Sequence, residues 1–504
     1  MSNCKFFDVM SDKYAFTENG CLTLTDSGSD NLNFFALASA KRANPNEALE
    51  LFIKALEENP LLAIRNLFYL RDIRGGQGER NIFRICFRWL CDNVDHSETE
   101  IVLNLLHHIP EYGRWDDLIY LYNPCVRNTV NMKIEELIGY QLYKDISAMK
   151  ENKPITICAK WFPLANNTKN PLKKAVASSL CKMIFEGNER ICRKTIVELR
   201  KYLDVCEQKM SNNSWKDINY PSLPAKASLK YRMAFNKHDG ERYNAYLNSV
   251  ERGEEKINTS TIYPYELVKK CITHNYDKTV EELWKNLPDY TNGKNAICVV
   301  DTSGSMTWDN NIPISVAISL GIYFAERNKS IFGGKFITFS ECPKIRDVKG
   351  DNLAHKVESI FKSGGWGMNT NIEAVFDMIL EKAVKFGLSQ DDMPETIYII
   401  SDMEFDEATE KYRHSPERKK TMFECIEEKY KKSGYARPNL VFWNASSRGD
   451  NIPVREDEYG TVLVSGCSPS IFKNVVSGKT PLEYMLEILN SERYRNINLI
   501  PYSV

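Results

Sequence analysis

The first half of the chain places its apolar residues at helical spacing. A helix starting near Asn46 continues through Leu51–Leu56, and a second, Leu61–Leu70, follows the break at Pro60. Asn81–Asn93 carries Ile82, Ile85, Cys86, Trp89 and Leu90 on one face, the recurrence of an amphipathic helix. The same pattern predicts helices over Ile101–Ile109, Trp115–Leu121, Ile134–Met149, Leu172–Phe185, Arg190–Met210 and Ser228–Val250. The loops between them are short and hold Pro60, Gly75-Gly76, Pro110, Gly113 and Pro163. Ser211–Pro224 is polar and proline-punctuated, which predicts a longer loop. Many short helices in succession predict an all-α region over residues 1–290, arranged as a HEAT-like solenoid.

From Asn295 the pattern changes. Ala296–Val300 is a continuous apolar run, as in a strand buried on both faces. Helical spacing over Pro313–Arg327 follows, then a strand at Lys335–Phe339 and helices at Leu353–Phe361 and Ile372–Phe386. Thr396–Ile400 and Asn439–Trp443 read as strands around a helix at Thr421–Lys432, with a short edge strand at Val462–Val464 and a closing helix at Pro481–Leu489. Strand and helix in alternation predict a parallel sheet covered on both faces, a Rossmann-type α/β domain over residues 291–504. The predicted fold class is therefore α + α/β.

The chemistry begins where the first buried strand ends. Asp301-Thr302-Ser303-Gly304-Ser305 brings Asp, Ser and Ser at i, i+2 and i+4 into one turn. Converging oxygen donors suit a small hard cation: Mg²⁺ takes six near-octahedral oxygens at about 2.1 Å. This D-x-S-x-S turn after a first strand resembles the metal-ion-dependent adhesion site (MIDAS) of von Willebrand factor A domains. That family adds a threonine from a second loop and an aspartate after a later strand. Gly367-Met368-Asn369-Thr370-Asn371-Ile372-Glu373 is similar to the threonine loop, and Ile399-Ile400-Ser401-Asp402-Met403 to the aspartate strand. The resemblance implies a Mg²⁺ or other divalent-cation site built from Asp301, Ser303, Ser305, Thr370 and Asp402, with hydroxyls as direct ligands and the aspartates acting partly through water. A coordination position beside Thr370 is then open to a partner's Glu or Asp oxygen.

An enzymatic reading of the same turn fails on residue type. Haloacid-dehalogenase-like phosphatases place a second carboxylate two residues after the nucleophilic aspartate, as general acid for the leaving group. Ser303 stands there and cannot perform that step at neutral pH. No G-x-x-x-x-G-K-[ST] loop occurs, which excludes a P-loop nucleotide site. The expectation is a non-catalytic protein without a nucleotide cofactor.

Stretches of the first half resemble a second family, known only as domain of unknown function 2828. They include Thr17-Glu18-Asn19-Gly20, the run from Leu70 to Arg80, Gly113-Arg114-Trp115-Asp116-Asp117-Leu118 and Ala159-Lys160-Trp161-Phe162-Pro163. That family also joins a helical region to a von Willebrand-type domain. The layout is similar to the Ro (TROVE-type) ribonucleoprotein family, in which helical repeats closed by such a domain bind structured RNA; this similarity implies an RNA-binding scaffold. Arg71, Arg74, Arg80, Arg84 and Arg88 flank a Gly-Gly-Gln-Gly turn at a helix start, where guanidinium groups can grip phosphates. Lys226, Lys230, Arg232, Lys237, His238 and Arg242, interleaved with Tyr231 and Tyr243, form a second basic stretch suited to phosphate contact and base stacking. The competing expectation is a protein-interaction module that binds a partner carboxylate through the metal, without RNA.

Bulk properties narrow the picture little. Across 504 residues the formal net charge is -1, so any nucleic-acid surface is a local patch. Fourteen cysteines occur with no C-x-x-C pair, and Cys86, Cys158, Cys181 and Cys298 sit inside apolar segments. Reduced, buried thiols and a cytoplasmic location are the expectation. Charges interrupt the apolar runs of the first twenty residues, unlike a secretory leader, and no stretch predicts a membrane span.

Overall fold

The computed structural model describes residues 14–16, 22–93, 99–167, 169–291, 293, 295–339, 343–363, 372–405, 422–446, 451–474 and 478–499. A helical region is followed by an α/β region. Most predicted helices form where their apolar faces recur, among them Asn81–Asn93, Trp115–Leu121, Ile372–Phe386 and Pro481–Leu489. Caps fix several starts. The Asn59 side chain accepts from Leu62 N ahead of Pro60, whose missing N–H costs a first turn nothing.

Four local expectations are corrected. The helix Thr99–Tyr112 runs through Pro110, which sits so near the end that one carbonyl loses its helical partner. Arg190–Met210 divides into Glu189–Tyr202 and Cys206–Ser211, because Asp204 turns left-handed at φ +51°. Ala225–Glu251 bends at Asp239, whose carboxylate accepts from Tyr220 Oη at 2.7 Å and Arg242 Nε at 2.8 Å. The first half is not purely helical: β1 (Tyr14–Phe16) and β2 (Leu22–Leu24) form an antiparallel hairpin, and Leu24 bridges to Ile452.

The second sheet comprises β3 (Ala296–Asp301), β4 (Lys335–Phe339), β5 (Ile345–Asp347), β6 (Thr396–Ser401), β7 (Asn439–Asn444) and β8 (Thr461–Ser465). Its spatial order is β5-β4-β3-β6-β7-β8. All neighbours pair in parallel except β5, an antiparallel edge the sequence pattern did not predict. Every residue of β3 and β6 is buried, as the continuous apolar runs require. The helix Trp308–Arg327 packs so tightly on β3 that a Cβ on Gly321 would lie 2.4 Å from Val300 Cγ2. From β3 the chain moves outward to β4 and β5, then crosses back to place β6 on the other side of β3. The C-terminal ends of β3 and β6 therefore form a topological switch point, where open α/β sheets hold their ligands.

The two regions share one continuous core. Ser39 and Ser465 hydroxyls lie 2.7 Å apart, and the Phe35 ring meets Tyr484 edge-on. Beyond the helix Pro481–Leu489 the chain returns to the helical region. There Arg493 pairs with Asp72 at 2.8 Å and Tyr494 stacks on Tyr112.

Candidate metal centre

Asp301 is the last residue of β3 and Ser401 the last of β6. With Val300 opposite Ile400, the register sets these two residues side by side at the switch point. Ser401 Oγ donates to Asp301 Oδ2 at 2.7 Å and lies 3.5 Å from Asp402 Oδ1. On its other oxygen Asp301 accepts from Ser303 N at 2.9 Å, which closes the turn. Ser303 and Ser305 hydroxyl oxygens are 2.8 Å apart. Adjacent ligands of an octahedral Mg²⁺ are separated by about 3 Å, so the pair has the spacing of neighbouring coordination positions.

Electrostatics adds a second reason to place a cation here. Asp301 and Asp402 are both buried. Burial, and then the Asp402 carboxylate, push the Asp301 carboxyl up to about 7. No basic side chain among the described residues offsets Asp301. Two carboxylates buried side by side repel each other, and a divalent cation among hard oxygen donors lowers that cost. The residues present fit such an ion. The following residue, Met403, is held at φ +66°, a conformation side chains other than glycine and asparagine seldom adopt; it marks local strain beside Asp402.

Sequence reasoning missed one side chain here, Ser401, which stands between the two carboxylates. Nearby in the chain, buried Glu404 accepts from Asn451 Nδ2 at 2.7 Å. Thr370 lies outside the described residues. Glu373, from the same predicted loop, is buried and paired with Lys429 at 2.5 Å, which turns it to the helix Met422–Lys432. No three His, Cys, Asp or Glu side chains converge as a metal cluster among the described residues, so a cation held here would need hydroxyl oxygens among its ligands.

A family model described as a domain of unknown function (DUF2828) matches residues 17–122 and 121–297, more than half of the chain. The chain belongs to the DUF2828 family. A second model, a domain of unknown function (DUF7788), matches residues 295–493, so the two models meet where β3 begins. "Uncharacterized protein L728" of Acanthamoeba polyphaga mimivirus is 30% identical over 512 residues, covering 94% of this chain and 87% of the relative.

Within the DUF2828 region the structure separates the basic residues picked out from sequence. Arg71 is fully buried and chelates Asp117 through Nε at 2.9 Å and Nη2 at 2.8 Å. Arg84 pairs with Asp116 and Asp117, and Arg232 with Asp277 at 2.7 Å. These three are internal struts, and Arg71 has no surface to offer a phosphate. Arg74, Arg80, Lys230, Lys237 and His238 remain exposed, and His238 stacks on Trp215 with centroids 4.4 Å apart. No helix among the described residues is long and apolar enough to cross a membrane.

Proposed function

We propose that this protein is a non-catalytic recognition scaffold whose residues 295–493 form a von Willebrand factor A-like domain. That domain binds a partner's carboxylate through Mg²⁺, on a HEAT-like helical frame. The observation that carries the reading is the meeting of Asp301, Ser303, Ser305, Ser401 and Asp402 at the switch point of the sheet. Asp301 and Asp402 supply the negative charge, and the serine hydroxyls supply neutral donors. Thr370 is the further ligand that the family pattern implies. Bound there, the cation supplies an electrophilic point for a carboxylate oxygen. The chain's own part is to keep its donors buried and spaced for it.

Calorimetric titration of the full chain with Mg²⁺ and Mn²⁺ tests the site. Binding in the wild type that is lost in Asp301→Ala supports it, and equal heats in both remove it. Water-proton relaxivity of the Mn²⁺ form tests the second half. A Glu-containing peptide should lower relaxivity by displacing metal-bound water, whereas its amidated Gln counterpart should not.

A second reading, Ro-like RNA binding, draws on the exposed Arg74, Arg80, Lys230, Lys237 and His238 beside Trp215. Its measure is filter binding to a structured RNA at two salt concentrations, where phosphate contacts give a steep slope. Salt-independent or absent binding at low salt leaves the carboxylate reading alone.

A further inference from the structure

Beneath the Gly75-Gly76-Gln77-Gly78 turn lies a cavity of about 400 Å³, lined from both regions of the chain. Its wall carries Arg42, Arg71, Arg80, Arg114 and Lys226 against a single acidic residue, Glu79. Two of the cations are spent. Arg71 is held by Asp117, and Arg42 Nε donates to Glu79 at 2.6 Å. Lys226 is half-satisfied by Glu266 at 3.3 Å, and Arg80 touches Asp116 only at 3.9 Å.

Arg114 is the anomaly. Its guanidinium is largely buried but makes no hydrogen bond or ion pair among the described residues; it lies over the Trp161 ring, 5.5 Å from the centroid. Burial makes its charged form less favourable than usual. Asp116 and Asp117 favour its charge from nearby but do not outweigh burial, and an anion inside the cavity would add the direct partner that Arg114 lacks among the described residues. Three incompletely paired cations thus face one half-open cavity.

The floor and the wall narrow the ligand class. Asn81 and Ile82, in the first turn of the helix Asn81–Asn93, line the same space, so the positive end of that helix adds to the field. Tyr263 and Tyr265 supply near-parallel rings, 17° apart, at the wall. Tyr263 Oη donates to Gln77 O at 3.3 Å and fills the space where a Cβ on Gly78 would stand. Gly78, at φ +72°, is therefore required for the turn to close over the cavity.

We propose that this junction cavity binds the phosphate group of a small phosphorylated ligand, with Arg80, Arg114 and Lys226 as its cationic contacts. The tyrosine rings flank whatever the phosphate carries. The site is separate from the metal centre and does not depend on the reading proposed for it.

The test is calorimetry on the full chain in Mg²⁺-free buffer, with inorganic pyrophosphate and ADP as probes and sulfate at matched ionic strength as reference. Saturable binding of either probe is expected. Arg80→Gln and Lys226→Gln, at exposed positions that preserve the fold, should each weaken it about ten-fold, the scale of one charge-assisted contact. Arg114→Gln should weaken it at least as much, with circular dichroism reporting that the variant is folded. Lys194→Gln, an exposed cation on the helix Glu189–Tyr202, should leave it unchanged. Absence of binding in the wild type overturns the proposal. So does equal weakening by Lys194→Gln, or binding confined to a 5′-phosphorylated oligonucleotide.

Discussion

Ser401 gives its one hydroxyl hydrogen to Asp301, 2.7 Å away, and so has none left for Asp402, 3.5 Å away on its other side. The contact joins the ends of two parallel strands that are neighbours in the sheet and 100 residues apart in the chain. A single hydroxyl between two buried carboxylates settles the direction of one hydrogen bond and leaves the mutual repulsion in place. The centre is thus a part of the fold held at some cost to stability, the usual condition of a site arranged for a ligand.

Divalent metal should therefore stabilise the protein. Adding Mg²⁺ at a hundred times its dissociation constant is expected to raise unfolding free energy by about 2.7 kcal/mol. Urea melts with and without Mg²⁺ measure this, and Ser303→Ala should reduce the gain. A wild-type melt that is indifferent to Mg²⁺, Mn²⁺ and Ca²⁺ would count against the centre.

In metal-free protein the same repulsion has a pH signature. The Asp301 carboxyl is raised from 3.8 to about 7, so between those values the folded state holds a proton that the unfolded state has released. Stability from this group is accordingly greatest near pH 4 and declines as pH rises towards 7. Asp402→Asn removes one of the two causes. It should stabilise the metal-free protein at pH 8 by on the order of 1 kcal/mol, have a smaller effect at pH 5, and abolish the response to Mg²⁺. Equal stability of variant and wild type across that range would contradict the argument.

How far the sequence spoke can be judged at these residues. Asp301, Ser303 and Ser305 were legible because their spacing is local and follows an apolar run. Ser401 was written beside Asp402 yet carried no signal, since its partner depends on the pairing of β3 with β6, a long-range register. β5 was missed because three residues are too few to show alternation. The arginine cluster failed for a related reason. A run of Arg on a helix reads as a free basic face, and only the tertiary fold brings Asp117 against Arg71, 46 positions away. Helix positions were recovered well because helical spacing is local, whereas the breaks at Asp204 and Asp239 are set by backbone conformation at single residues.

The ion pair between Arg71 and Asp117 makes a sharp prediction. Removing one member of a buried pair strands the other charge, at a cost of about 3–5 kcal/mol. Arg71→Ala should therefore destabilise the fold by roughly that amount, while Arg80→Ala, whose side chain is half-exposed, should stay within about 0.5 kcal/mol of wild type. Denaturant melts of the two variants decide it. A mild Arg71→Ala would mean that Arg84, also bound to Asp117, is a sufficient partner.

The cysteines give a chemical check on the packing. No disulfide joins the described cysteines, and burial pushes Cys91, Cys192, Cys206, Cys271 and Cys467 up to about 12. Thiols held protonated inside a core react slowly. Among the described cysteines, exposed Cys125 should react first with a thiol reagent in native protein, and denatured protein, without reductant, should yield all fourteen thiols. Recovery of about half would mean disulfides.

The last prediction concerns the joint between the two regions. Tyr494 lies beyond the final helix of the α/β region but is buried in the helical one. It stacks on Tyr112 at 5.7 Å, meets Tyr69 edge-on at 5.9 Å, and gives its hydroxyl to Asp72 at 3.0 Å. Asp72 also receives Arg493, so one buried carboxylate collects the chain's return. Tyr494→Phe removes only a hydrogen bond to a charged acceptor and should cost about 1.5–3 kcal/mol. Tyr494→Ala removes the ring as well and should cost more, about 3–5 kcal/mol, the range for deleting a buried aromatic. Because the core is continuous, both variants should still unfold in one transition followed equally by fluorescence and circular dichroism. Two separated transitions in Tyr494→Ala would instead show that this aromatic contact is what makes the helical and α/β regions melt together.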